Sequence, residues 1–257
     1  MKFKKQFGQN FLVDSFVAEE IAEFLPLKGK TVLEIGAGDG ALTKELARVA
    51  KNVVTLEIDT SLVPKLKENL KEFENIEVKN VNALDFDFSD YDYIYGNLPY
   101  NISTPLLVKI LESDFKHAVV MLQLEVADRI ISPPGSDNFG RLSVLVQNNA
   151  NCEIVQTVPA EAFNPVPKVD SAVIHLEKKA KKNVKKLNQK LVDAIFQHKN
   201  QTVQNSLIHS RHHFDLDKKQ ARDLDLGELG AKRPRELTLD ELEFLSKNLP
   251  VALRAKK

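Results

Sequence analysis

Four consecutive residues, Asn97-Leu98-Pro99-Tyr100, combine a side-chain amide, a backbone carbonyl ahead of a proline, and an aromatic ring. The set suits an amine attached to an aromatic ring, a poor nucleophile because its lone pair is delocalised. Asn97 offers a side-chain carbonyl as acceptor, Leu98 its backbone carbonyl, and Pro99 restricts the geometry that follows. Acceptors of this kind favour rehybridisation of the amine toward a methyl donor. Tyr100 can stack on the target ring, a contact worth about 1–3 kcal/mol per base in single-strand binding. In-line positioning supplies the rest, so neither a metal nor a covalent intermediate is required. A lone Asn-Pro turn would be unremarkable; this one follows a predicted strand, Tyr93–Tyr95.

A second constellation could hold a cofactor. Val32-Leu33-Glu34-Ile35-Gly36-Ala37-Gly38-Asp39-Gly40 reads as a strand, a glycine turn and a helix start. Glycines there let backbone approach a ligand closely. Glu34 precedes the turn, and Glu57 ends the next strand, where a carboxylate can hold two ribose hydroxyls. Dinucleotide sites share that second feature, and a purely structural turn is the remaining alternative. Asn82, after the third strand, lies where open sheets bind ligands. Its amide could read the amine and N1 of a cofactor adenine, or it could be a turn residue.

These residues need a sheet to position them. Apolar runs predict strands at Thr31–Ile35, Val53–Glu57, Ile76–Lys79, Tyr93–Tyr95 and His117–Leu122. Helical spacing in Gly40–Ala50 and Asp59–Phe73 alternates with them, which predicts a parallel sheet covered by helices. Pro105 suits a helix start, with Ser103 as its expected cap. Two later strands, Cys152–Thr157 and Ser171–Glu177, are expected to be antiparallel neighbours joined by a loop stiffened by Pro159, Pro165 and Pro167. Lys178–Lys190 holds seven lysines, and the domain boundary is placed there: 1–177 for the sheet domain and 178–257 for a small helical domain. Within the latter, Leu191–Ile208, Asp217–Asp223 and Asp240–Leu249 read as helices, the last with a Thr238/Glu241 capping box.

Composition fits a folded core: 43% of the 257 residues are hydrophobic and 14 are Phe. No run has the length of a membrane helix, and Met1-Lys2-Phe3-Lys4-Lys5 lacks the apolar stretch of a signal peptide. With one cysteine, Cys152, expected to be a buried strand residue, a cytoplasmic protein is anticipated. The six histidines form no convincing ligand set, so no metal is expected. Net charge is zero, but its distribution is polar: residues 1–176 carry 17 basic and 25 acidic side chains, residues 177–257 carry 19 and 11. The basic C-terminal region could contact phosphates.

Together these motifs are specific. The chain resembles the ribosomal RNA adenine dimethyltransferases, which dimethylate adenines near the 3′ end of small-subunit ribosomal RNA. The resemblance spans Gly8-Gln9-Asn10-Phe11-Leu12, Glu34–Gly40, Glu57, Asn97–Ser103, Phe139–Val144, Pro159, Phe163, Pro165, Pro167-Lys168-Val169 and Ser171-Ala172-Val173. In the tail it covers Phe196–Lys199, Asn205-Ser206-Leu207 and Arg233-Pro234. The short tail suggests the archaeal branch. The resemblance implies a Rossmann-like class I methyltransferase sheet flanked by helices, S-adenosylmethionine as cofactor, and N6,N6-dimethyladenosine at two neighbouring positions as product. It further implies that Gln9, Asn10, Leu12, Glu34, Gly36, Gly38, Glu57, Ile58, Asn82, Ala83 and Asn97 bind the cofactor. Asn97, Leu98, Pro99 and Tyr100 would act at the amine, and Tyr100, Phe163, Arg141 and Lys199 would bind substrate. The helical tail would dock the ribosomal particle. Apart from the resemblance, a monomer is expected because the substrate is large and no exposed coiled-coil pattern occurs in the sequence.

The sequence departs from the family pattern in three places. Asn82 stands where Asp is usual, Asn200, Gln201 and Gln204 dilute the charge of the tail, and Ala37 and Asp39 vary the glycine loop. Two other readings are a large-subunit adenine methyltransferase and an assembly factor on a methyltransferase fold.

Overall fold

The computed structural model describes residues 10–248. By internal contacts the chain divides into two compact units: residues up to Ala127 with Ala150–Lys178, and Asp128–Asn149 with the residues from Lys179 onward.

The first unit opens with a two-residue strand, β1 (Phe11–Leu12), and helix α1 (Ser15–Glu23). The Asp14 carboxylate caps α1, accepting from the amides of Phe16 and Val17. Val17, Ala18, Ile21 and Ala22 form its buried face. Then follow β2 (Thr31–Ile35), α2 (Ala41–Val49), β3 (Asn52–Glu57), α3 (Val63–Asn69), β4 (Ile76–Asn80), β5 (Tyr93–Asn97), α4 (Ser103–Glu112) and β6 (His117–Gln123). All seven strands predicted from the sequence form. α5 (Leu124–Ile131) and α6 (Arg141–Asn149) precede β7 (Ala150–Val158), a second two-residue strand β8 (Phe163–Asn164), and β9 (Ser171–Lys178).

Seven strands make one sheet in the order β4-β3-β2-β5-β6-β9-β7. β2 to β6 are mutually parallel, while β9 runs antiparallel between β6 and β7. Strand order reverses between β2 and β5: the chain steps outward one way through β3 and β4, then returns to build the other half. In open α/β sheets such a switch point leaves a crevice at the carboxyl ends of the strands. β6 is buried on both faces, with Ala118, Val119, Val120, Met121 and Leu122 at most 1% exposed, as its unbroken apolar run requires. Edge strand β7 instead alternates half-buried and exposed residues between its buried ends and carries a bulge near Ile154. This is why Cys152 is half-buried and not fully enclosed as expected. β1 pairs with β8 in a small separate sheet, Leu12 opposite Phe163.

The second unit has its own core, built from Phe139, Val144, Leu191, Ile195, Phe196, Leu207, Leu237 and Leu242 among others. Its helices are α6, α7 (Gln189–Phe196), α8 (Val203–His209), α9 (Lys218–Arg222) and α10 (Leu239–Asn248). The boundary expected at 178 therefore needs a second cut, because Asp128–Asn149 belongs with this unit. The Ser143 hydroxyl bonds the Arg129 carbonyl, Gln147 bonds the carbonyls of Ile130 and Ser132, and Asn148 exchanges hydrogen bonds with the Lys185 backbone.

Two local expectations change. Leu191–Ile208 is two helices, because Asn188 caps α7 and Thr202 caps α8. Ser103 is no cap; it lies inside α4, and its hydroxyl bonds the Tyr100 carbonyl at 3.3 Å. The capping box before α10 is present, with the Glu241 amide on Thr238 Oγ1 at 3.2 Å and the Thr238 amide on Glu241 Oε2 at 2.9 Å.

Candidate active site

A cleft opens at the switch point, where open α/β sheets bind ligands. Strand ends supply its walls. β2 delivers Glu34 and the turn Gly36–Asp39; β3 delivers Glu57 and Ile58; Asn82 and Ala83 follow β4; Asn97 to Tyr100 follow β5. Asn10, Phe11 and Leu12 complete it.

The glycine turn is shaped for close approach. Gly36 and Gly38 have φ of +80° and +58°, values that L side chains rarely adopt. A Cβ on Gly38 would stand 2.9 Å from the Phe11 ring. The Gly38 amide donates to Glu57 Oε2 at 2.9 Å and the Asp59 amide donates to Oε1 at 2.7 Å, so the Glu57 carboxylate is oriented before any ligand arrives. Burial raises its affinity for a proton, and the two amide donors oppose that rise.

Glu34 is buried more deeply, at 1% exposure. Its Oε2 accepts from Thr43 Oγ1 of α2 and Thr55 Oγ1 of β3, both at 2.6 Å. Desolvation pushes its pKa up to about 7 against those two donors, with the Glu57 charge adding to the rise. Glu34 thus ties helix and strand together beneath the turn while lining the cleft.

Of the two alternatives for Asn82, the turn is the one present in the structure. Its Oδ1 accepts from the Leu84 amide at 3.1 Å and its Nδ2 donates to Asp85 Oδ2 at 3.0 Å, an Asx turn. The same residue lines the cleft beside Ala83. Ile58 is 43% exposed, leaving an apolar surface in the wall.

At the other end of the cleft, Asn97 Nδ2 donates to the Asn10 carbonyl at 2.9 Å. That bond orients the amide and leaves Oδ1 as the acceptor. The Leu98 amide donates to Met121 O at 2.9 Å, and no described backbone donor takes the Leu98 carbonyl. Tyr100 is half-buried, its hydroxyl 2.6 Å from Ser171 Oγ. Burial holds its phenol above the usual range, so it is protonated at neutral pH.

The structure therefore brings together Asn10, Leu12, Glu34, Gly36, Gly38, Glu57, Ile58, Asn82, Ala83 and Asn97 to Tyr100. Gln9 lies outside the described residues. Phe163, expected against the substrate base, is 1% exposed within the core cluster and does not line the cleft; pairing of β8 with β1 draws it inward. Arg141 and Lys199 belong to the second unit. Arg141 pairs with Asp193 at 3.1 Å and Lys199 donates to the Asp137 carbonyl at 2.8 Å. Phe11, quoted within the Gly8–Leu12 motif but given no role of its own, lines the cleft, and Thr43 and Thr55, which hold Glu34, carry no signal in the sequence. Gly96 was also passed over: a Cβ there would fall 2.5 Å from the Ile35 carbonyl, so the approach of β2 to β5 demands glycine.

Comparison with known proteins gives this cleft a family. A model of ribosomal RNA adenine dimethylase matches residues 1–247. The chain belongs to the ribosomal RNA adenine dimethylase family. Membership makes it an S-adenosylmethionine-dependent rRNA adenine dimethyltransferase. It is 42% identical over 224 residues to a probable ribosomal RNA small subunit methyltransferase A of Methanococcus maripaludis, covering 85% of this chain and 84% of that one. A protein of the same description from Thermococcus gammatolerans is 41% identical over 217 residues, 84% of this chain and 78% of that one. Both sources are archaeal. Among solved structures, a dimethyladenosine transferase from Plasmodium falciparum superposes with a TM-score of 0.77 at 28% identity, covering 91% of this chain and 96% of that one. The 23S rRNA methyltransferase ErmE gives 0.67 at 28% identity, covering 93% and 100%. The expected class I methyltransferase fold is thus the fold observed.

Proposed function

We propose that the chain transfers methyl groups from S-adenosylmethionine to the N6 amines of two adjacent adenosines near the 3′ end of small-subunit ribosomal RNA. The product is N6,N6-dimethyladenosine, made on the pre-ribosomal small-subunit particle as part of its biogenesis. The observation that carries the reading is the Asn97 amide, anchored on Asn10 with its oxygen left to accept, next to the Leu98 carbonyl, which no described backbone donor takes.

The cleft fits the cofactor. A carboxylate fixed by two backbone amides suits a pair of ribose hydroxyls, Ile58 offers an apolar face for an adenine, and the Gly36–Gly38 turn leaves room for the amino-acid part. When bound, S-adenosylmethionine supplies an electrophilic methyl carbon. Asn97 and Leu98 accept hydrogen bonds from the N6 amine and draw its lone pair out of conjugation, and Tyr100 stacks on the base. Removal of the base from its RNA stack costs a few kcal/mol, less for a loop nucleotide.

The basic second unit is assigned to the RNA particle, on which the enzyme acts as a monomer. Several of its lysines already serve the fold. Lys179 donates to Gln147 O at 2.6 Å, Lys185 pairs with Asp240 at 2.5 Å, and Lys190 lies over the Phe214 ring at 5.6 Å. Among the described residues no helix is long and apolar enough to cross a membrane, and a cytoplasmic site of action is proposed.

The likeness to ErmE keeps a large-subunit target as the second reading, whereas the small-subunit names of the archaeal relatives favour the first. Incubation with labelled S-adenosylmethionine and, in parallel, small-subunit particles and large-subunit RNA that lack such marks separates them. Primer extension is expected to stop at two adjacent adenosines near the 3′ end. Transfer confined to large-subunit RNA would overturn the proposal.

A further inference from the structure

Tyr100 is fixed at both ends. The loop that carries it is tied down by the Leu98 amide on Met121 O at 2.9 Å and the Ile102 amide on Pro99 O at 3.0 Å. At the far end of the ring, the phenol oxygen lies 2.6 Å from the Ser171 hydroxyl, a residue 71 positions away in sequence. Ser171 is fully buried. It begins β9 and has ladder partners on both sides, Gln123 of β6 and Val158 of β7. The preceding residue is held as well, since Asp170 O accepts from the Leu124 amide and its carboxylate from the Ala160 amide, both at 3.0 Å.

Stacking on a base needs only an aromatic face, which phenylalanine supplies equally well. A buried hydroxyl is costly unless it is paired, so a tyrosine here is favoured only where a fixed partner exists. The partner is a buried hydroxyl on a strand paired on both sides. What the pair adds over a bare ring is a defined ring plane, and transfer in line is sensitive to displacements of about 1 Å. We infer that Ser171 is a positioning residue of the transfer reaction: its hydroxyl sets the tilt of the Tyr100 ring on which the target adenine stacks. The inference rests on the reading of Tyr100 as the stacking platform.

A double-mutant cycle tests it. Tyr100→Phe and Ser171→Ala are each expected to lower kcat/KM for the RNA roughly tenfold, mainly in kcat. Cofactor affinity should stay near wild type. The double variant should lose no more than either single one, since both remove one contact. Additive losses would overturn the inference, as would full activity in Tyr100→Phe, which remains decisive even where Ser171→Ala folds poorly. A second readout does not depend on turnover. The 13Cζ resonance of Tyr100 in protein with labelled tyrosines, assigned by its loss in Tyr100→Phe, is expected to move in Ser171→Ala. An unmoved resonance would show that Ser171 does not hold the ring. Absence of methylation by the wild-type protein would count against the proposed function, while the resonance separately decides the Tyr100–Ser171 contact.

Discussion

The Gly38 amide points at Glu57, donating to its Oε2 at 2.9 Å. The glycine turn after β2 and the acid at the end of β3 are thus one device. The turn fixes the acid, and the acid gives a partner to an amide of the turn that precedes α2.

This coupling makes Glu57 worth more than its own ligand contacts. Glu57→Ala is expected to weaken S-adenosylmethionine binding about 10- to 100-fold, the range for hydrogen bonds to a charged group. Glu57→Gln should also lose affinity, because its NH2 faces an amide donor. Calorimetric titration with the cofactor measures both, and wild-type affinity in Glu57→Gln would count against the arrangement.

Glu34 should make stability depend on pH. Its folded pKa of about 7 lies above the ordinary value of 4.5. Between those values the folded protein holds a proton that the unfolded chain releases, so stability falls as pH rises through the window and levels off above it. The loss attributable to this group is on the order of 3 kcal/mol. Glu34→Gln still accepts from Thr43 and Thr55 and should flatten that part of the profile. Urea unfolding at pH 5 and pH 8 checks this; identical slopes in wild type and variant would refute it.

Tyr95 is fully buried in β5, and its hydroxyl has no hydrogen-bond partner among the described residues. An unpaired buried hydroxyl costs roughly 1–3 kcal/mol. Tyr95→Phe should therefore raise the unfolding midpoint, with a gain of about 1 kcal/mol. A lower midpoint would reveal a partner for that hydroxyl.

Gly96→Ala is expected to destabilise the sheet. The new methyl would meet the Ile35 carbonyl at 2.5 Å, and neither strand can yield without breaking ladder bonds. Overpacking of this kind costs about 1–3 kcal/mol or more. Denaturant unfolding measures it, and an unchanged midpoint would mean the strands separate freely.

The sheet was legible in the sequence because each strand carries its own pattern. The continuous apolar run of β6 and the Gly36–Gly40 turn after β2 give both identity and position. β1 and β8 were not legible, since two residues hold no periodicity and the pairing of Leu12 with Phe163 is a long-range choice. The same pairing takes Phe163 into the core, which its motif alone could not show. Asp128–Asn149 escaped assignment because an excursion into another unit leaves no mark when boundaries are sought along the chain. In the site, residue types announced Glu57, Asn97 and Tyr100 as candidates, whereas the bonds that hold Asn97 to Asn10 and Tyr100 to Ser171 join residues distant in sequence and appear only in the fold.

The most direct test of the acceptor site is single-turnover methyl transfer by Asn97→Ala on small-subunit particles, with cofactor affinity measured on the same preparation. Removing one oriented hydrogen-bonding group at a reacting centre costs about 10²- to 10³-fold in kcat. The expected result is a loss of that size in transfer to the N6 amine, with cofactor affinity within a few-fold of wild type. Wild-type transfer by Asn97→Ala would contradict the role given to this amide.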